Sequence, residues 1–210
     1  MTFLNHGSFG ATLNMVMEEQ NRLRLYLESD PVRFFEREAF ENMGVARLEL
    51  SKFLNANPDG MTFCQNATSG VNTVLRSLTL KQGDEIIIPN HSYQACWNAI
   101  DFVASRWGAK VVVVDLPFRC DSEEEIIEPL LGAITPRTVL AMIDTVTSPT
   151  GLRMPFEKLV EEFQLRGVDV LLDAAHGPGI VPMDLAKLDV AWVTGNCHKW
   201  LCSPKGSAFL

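Results

Sequence analysis

The chain has no apolar run approaching the ~20 residues that a membrane span requires. Its longest candidates, Val111 to Val114 and Ile86 to Ile88, are far too short, so no membrane partner is expected. Basic clusters are equally scarce. Eighteen lysines and arginines stand against 26 aspartates and glutamates, for a formal net charge of -8. That balance excludes nucleic acid and anionic membrane as main partners, since both reward clustered positive charge. The opening segment Met1-Thr2-Phe3-Leu4-Asn5-His6-Gly7 lacks the basic and apolar regions of a secretory signal. Five cysteines are an odd number, dispersed, with no C-x-x-C pair and no histidine at zinc-ligand offset. They fit a reduced, cytoplasmic setting and no metal. Internal repeats, low-complexity tracts, G-x-x-x-x-G-K-[ST], H-E-x-x-H and G-x-S-x-G are all missing. What remains is a 210-residue chain with 47% hydrophobic and 21% charged residues, ordinary for a soluble globular domain and long enough for one large core, or one core plus an arm.

From Leu13 to about Phe53, apolar residues recur at three-to-four spacing, which predicts two helices broken at Asp30-Pro31. Residues 1–55 are read as a helical arm and 56–210 as a second unit. Asn55 to Gly60 is a loop by composition. Beyond it, short apolar runs alternate with helical stretches. Strands are predicted at Met61 to Cys64, Glu85 to Ile88, Lys110 to Asp115, Val139 to Ile143, Val168 to Leu172, Val190 to Thr194 and Ser207 to Leu210. Helices are predicted from Ala67, Gln94, Ser122 and Phe156. Continuous apolar strands separated by helices imply an α/β fold, a mostly parallel sheet covered on both faces. The Phe34-Phe35 pair and Trp192 read as core.

Ligands of such sheets bind at the carboxyl ends of the strands. Three of the four histidines, His91, His176 and His198, follow predicted strands there, while His6 lies in the arm. The densest constellation is Asp173-Ala174-Ala175-His176 followed one strand later by Asn196-Cys197-His198-Lys199-Trp200. A desolvated lysine at that edge has a lowered pKa and forms Schiff bases. An aspartate in the same crevice would keep a pyridinium nitrogen protonated. Asn66-Ala67-Thr68-Ser69-Gly70, opening a helix, offers N–H groups to a phosphate. Each piece also has a plain reading: a solvated lysine, a turn-capping aspartate, an ordinary N-cap. Gly177-Pro178-Gly179 briefly suggests a dinucleotide loop, but Pro182 replaces the third glycine.

In their order along the chain, these residues resemble the class V aminotransferase family of pyridoxal-phosphate enzymes, in its isopenicillin N epimerase-like and cysteine desulfurase-like branch. The resemblance runs from Phe3-Leu4-Asn5-His6-Gly7-Ser8-Phe9-Gly10 through Asn66 to Gly70 and Asp173 to Gly177, ending on Gly195-Asn196-Cys197-His198-Lys199-Trp200. It implies the large domain of the aspartate-aminotransferase-like fold, pyridoxal 5'-phosphate as cofactor, an amino-acid substrate and a homodimer. By the same resemblance, Lys199 would carry the cofactor and move the substrate α-proton. Asp173 would pair with the ring nitrogen, and His176 would donate to the phenolic oxygen. Ala67, Thr68 and His198 would hold the phosphate, with Asn196 standing where desulfurases often have serine or threonine. Tyr93, or else His91, would stack on the ring, and Asn5 and His6 would approach the substrate. The loop Thr147-Ser148-Pro149-Thr150-Gly151 departs from the family's usual asparagine. Cys197 and Cys202 read as packing residues. Relatives continue into a smaller C-terminal domain bearing an arginine for the substrate carboxylate. Leu210 stands eleven residues after Lys199, so the expectation is a fragment of a longer enzyme or a shortened, non-catalytic paralogue.

Overall fold

The computed structural model describes residues 2–210. Helix α1 (Asn14–Ser29) ends before Pro31, and a second helical run comprises α2 (Pro31–Arg33), a π segment (Phe34–Glu38) and α3 (Ala39–Leu54). Asp30 caps that run by accepting a hydrogen bond from the N–H of Arg33 at 3.0 Å. Asn55 closes it in the left-handed conformation at φ 48°, and its side chain donates to Asp184 at 2.7 Å. After this come β1 (Phe63–Cys64), α4 (Ala67–Ser77), β2 (Glu85–Pro89), α5 (Gln94–Trp107), β3 (Lys110–Val114), α6 (Glu124–Gly132) and β4 (Thr138–Asp144). The chain continues through α7 (Phe156–Leu165), β5 (Asp169–Ala174), α8 (Leu185–Leu188), β6 (Trp192–Asn196) and β7 (Ala208–Phe209).

The strands form one seven-stranded sheet in the order β1-β7-β6-β5-β4-β2-β3. Strands β2 to β6 run parallel, while β7 pairs antiparallel with β6 and β1. The α/β, mostly parallel architecture read from the sequence is therefore present. Residue parity decides which face each strand residue serves. Ile87, Ala141, Ile143, Val170 and Leu172 pack with Ile126 and Leu130 of α6 and Phe156, Leu159 and Phe163 of α7. Ile86, Ile88, Leu140, Met142 and Leu171 pack with Val71, Val74 and Leu75 of α4 and Ile100 and Val103 of α5. Burial on both faces is why these strands lack polar alternation.

Several expectations shift. The predicted strand at Met61 shrinks to Phe63–Cys64, because Met61 points into a third small core with Leu54 and Phe209. Strands β5 and β6 each run two residues further than predicted, so Asp173 and Asn196 lie inside the ladder. Their polar ends stay paired, with Asp173 opposite Thr194 and Ala174 opposite Gly195. The sequence reading did not place α8. The Phe34-Phe35 pair is not core either: Phe35 is 57% exposed, although Trp192 does pack against the α4 and α5 layer. Helix α4 approaches β6 so closely that a Cβ at Gly70 would stand 2.1 Å from the Thr194 hydroxyl. Only glycine allows that approach, and it brings the α4 N-terminus to the sheet edge. Among the described residues no helix is long and apolar enough to cross a membrane.

Candidate active site

Parity carries two carboxylates to one spot. Asp144 and Asp173 end apolar runs on adjacent parallel strands, in direct register, and share the face that α4 and α5 cover. Neighbouring strands lie about 4.8 Å apart, so two like charges would meet in a desolvated place. Asp144 accepts a hydrogen bond from the Ser92 hydroxyl at 2.6 Å. Asp173 accepts from the Ala175 N–H at 2.9 Å and from the Cys96 thiol at 3.3 Å. Burial raises both carboxyls above the usual carboxylate range, and the Asp173 charge raises Asp144 further, well above it. Asp173 is partly restored by Ala175, Cys96 and the Lys199 amine. The pair thus holds a proton more tightly than two separate exposed carboxyls would. Burial next to these carboxyls pushes the Cys96 thiol far up, so it stays protonated.

Lys199 follows β6 and reaches back over β5. Its amine lies 3.0 Å from His176 Nε2. Burial lowers its pKa, with Asp173 pulling the other way. His176 itself is pushed down to about 4, by burial first and the nearby Lys199 second, so its ring is neutral at physiological pH. On its other side, the Trp200 Nε1–H donates to His176 Nδ1 at 3.4 Å. A cavity of about 670 Å³ opens in front of Lys199, lined by Asp144, Asp173, His176, Asn196, His198, Tyr93 and the first turn of α4.

That first turn is partly occupied by its own caps. Asn66 accepts from the Ser69 N–H at 2.8 Å, which is the plain N-cap reading. Asn196 Oδ1 accepts from the Ala67 N–H at 2.9 Å. Ala67 therefore lines the cavity with its N–H engaged by Asn196. The Thr68 N–H meets no acceptor among the described residues and remains available with its hydroxyl at the positive end of α4. His198 flanks it. Its Nδ1 lies 2.8 Å from the Ser207 carbonyl and donates to it, which leaves Nε2 for a ligand.

A second cavity of about 510 Å³ adjoins the first and shares Ser8, Phe9, Tyr93, Ser148, His176 and Lys199 with it. Asn5 lines it, and its amide donates to the Ser8 hydroxyl at 2.8 Å. His6 does not line it. Its Nδ1 accepts from the Ala11 N–H at 3.3 Å, and its ring packs behind, 5.8 Å from Trp200. His91 is likewise outside both cavities, buried with its Nδ1 3.2 Å from the Thr150 hydroxyl. Tyr93, just before α5, reaches both cavities, as does Phe9 from the N-terminal segment. The segment carrying Asn5 is clamped onto the lysine loop at Gly10, where a Cβ would stand 1.9 Å from the His198 carbonyl oxygen and φ is +73°. The sequence reading missed Asp144, Ser92 and Cys96. The available signal was an apolar run ending on an acid, repeated in β4 and β5.

The donor set suits a phosphorylated pyridine aldehyde: a desolvated amine, a buried carboxylate and an anion seat at a helix N-terminus around one chamber. Comparison with known proteins agrees. The family model for class-V aminotransferases matches residues 26–210. Isopenicillin N epimerase of Streptomyces clavuligerus is 33% identical over 210 residues, covering 99% of this chain and 52% of that protein. A probable chloroplastic L-cysteine desulfhydrase of Arabidopsis thaliana is 31% identical over 222 residues, covering 99% and 47%. The chain thus spans about half the length of the curated relatives it matches. Among solved structures, the cystine C–S lyase C-DES with its product cysteine persulfide superposes with TM-score 0.89 at 22% identity, over 99% of this chain and 56% of that one. The cysteine desulfurase CsdA of Escherichia coli gives 0.84 at 24%, over 98% and 52%. These two likenesses concern the fold.

Proposed function

Because the chain belongs to the class-V aminotransferase family, we propose that its crevice holds pyridoxal 5'-phosphate on Lys199 and works at the α-carbon of an amino acid. The observation that carries this reading is the desolvated Lys199 amine facing buried Asp173 across a single chamber. Bound there, the cofactor supplies an electron sink for charge that develops at the substrate α-carbon. The protein does the rest. Asp173 holds a negative charge against the ring nitrogen, beside the buried Asp144 that the Ser92 hydroxyl holds in place. Thr68 and His198 seat the phosphate, Asn196 fixes α4 in place for it, and Tyr93 covers the ring. With its amine free, Lys199 would take the α-proton and return it. Return to the opposite face, loss of a β-substituent, or return to another carbon gives an epimerase, a lyase or an aminotransferase respectively. Asn5 and Ser148 line the chamber where a substrate side chain would lie.

The test is borohydride reduction of the protein loaded with pyridoxal phosphate, followed by peptide mass mapping. Label confined to Lys199 is expected, together with deuterium exchange at the α-carbon of alanine or cysteine in D2O. Label spread evenly over surface lysines overturns the site. Label on Lys199 with no exchange for any amino acid favours a cofactor-binding chain that does not turn over.

We also propose a second copy of the chain as partner. Helix α1 has no buried residue, and Phe40 of α3 is 83% exposed among many other bare apolar side chains, more than monomers ordinarily show. Light scattering at micromolar concentration is expected to give twice the chain mass, and a monomer there refutes it.

A further inference from the structure

Tryptophan has one polar hydrogen and no acceptor. Its contact with His176 therefore fixes a proton elsewhere. The Trp200 Nε1–H donates to His176 Nδ1, so that nitrogen carries a lone pair and no hydrogen. The ring is neutral, which leaves its single N–H on Nε2, the atom facing the Lys199 amine at 3.0 Å. If Lys199 were an ammonium donating to Nε2, both ring nitrogens would have to be acceptors, a state neutral imidazole does not have. With Nε2 as the donor, the Lys199 amine is the acceptor of that contact. We propose that Trp200 is a positioning residue that locks His176 in its Nε2–H tautomer, so that His176 always presents a donor to the chamber.

Packing around the pair supports a fixed geometry. Gly7 lies over both rings: a Cβ there would stand 3.3 Å from His176 Cε1 and 3.3 Å from Trp200 Cζ2. The segment that bears Gly7 thus closes the His176–Trp200 contact from above and limits competing water. Resting on the function proposed above, this lock has a use. The cofactor's phenolic oxygen is an acceptor, and a His176 free to place its proton on Nδ1 would offer that oxygen only a lone pair. The tryptophan selects the useful tautomer without touching the cofactor itself.

The first test needs no cofactor. In 15N-histidine-labelled protein, His176 is expected to show a protonated Nε2 and an unprotonated Nδ1 across pH 6 to 8. In Trp200→Phe, which keeps an aromatic ring but no donor, the two nitrogens are expected to move toward averaged shifts. A native His176 protonated on Nδ1, or an unchanged pattern in Trp200→Phe, overturns the proposal whatever the protein binds. The second test is a pyridoxal phosphate titration. Trp200→Phe is expected to weaken binding by about tenfold, the size of one lost hydrogen bond. In a His176→Gln background, whose amide donor has no tautomer, the same change is expected to do little. An equal loss in both backgrounds assigns Trp200 a packing role only and overturns the proposal. If neither protein binds the cofactor while the tautomer shift is seen, the functional reading fails and the lock stands.

Discussion

Replacing Lys199 by alanine is expected to remove the borohydride-fixable cofactor and to lower α-proton exchange at least about 10³-fold, since the proposed function makes one amine both attachment point and proton carrier. The fold should survive the change. The amine is buried next to a neutral His176, and burial disfavours its ammonium form, so its deletion removes a desolvated polar group rather than a structural ion pair. Melting temperature is expected to stay within a few degrees of the parent, and a collapse would show that the amine props the crevice open. The depressed pKa adds a second reading of the same experiment. A lysine whose ammonium is disfavoured loses its proton at lower pH than an exposed one. Cofactor attachment should therefore reach its plateau at lower pH than for an exposed lysine. An attachment profile centred near that of free lysine would mean that the chamber is wet and that desolvation does not tune the amine.

The layers of this fold were legible because apolar runs such as Leu140 to Ile143 and Val170 to Leu172 need no knowledge of their neighbours to read as buried strands. Lys199, Asp173, His176 and His198 were legible for a related reason: each lies at or just beyond the end of such a run. Asp144 was not, although it ends β4 as Asp173 ends β5. Its meaning depends on register, the pairing of Asp144 with Asp173, and register is a property of two strands. Asn196 was visible as a departure from the desulfurase pattern, yet its hydrogen bond to the Ala67 N–H crosses 129 positions. His91 and His6 stand outside both cavities. Both have the right residue type near the right edge, but Thr150 and Ala11 engage their Nδ1 atoms. Residue type and position along the chain do not report which way a ring faces. The arm adds a further case: three-to-four spacing gave its helices, but its apolar stripe has little of this chain to pack on.

The Asp173→Asn substitution should separate stability from chemistry by moving them in opposite directions. Asp173 has a raised pKa in the fold, so the folded protein binds that proton more tightly than the unfolded chain does. Its ionisation therefore costs stability as pH climbs from the unfolded carboxylate range, near about 4, through the higher folded value. An asparagine side chain has nothing to ionise. The cofactor-free variant is thus expected to be at least as stable as the parent at neutral pH, with a flatter dependence of stability on pH above the unfolded carboxylate range, about 4. The substitution also relieves Asp144 of the neighbouring charge that helps hold its pKa up, which adds to the gain. Function should fall. An amide cannot supply the buried negative charge that keeps a ring nitrogen protonated, and removing a preorganised electrostatic partner of this kind costs on the order of 10²–10³-fold in rate. Thermal melts of the cofactor-free proteins across that pH range, beside α-proton exchange of the loaded ones, make the comparison. A variant that loses stability at neutral pH would show that the carboxylate is a structural anchor, and the charge-storing role assigned to the Asp144–Asp173 pair would fall with it.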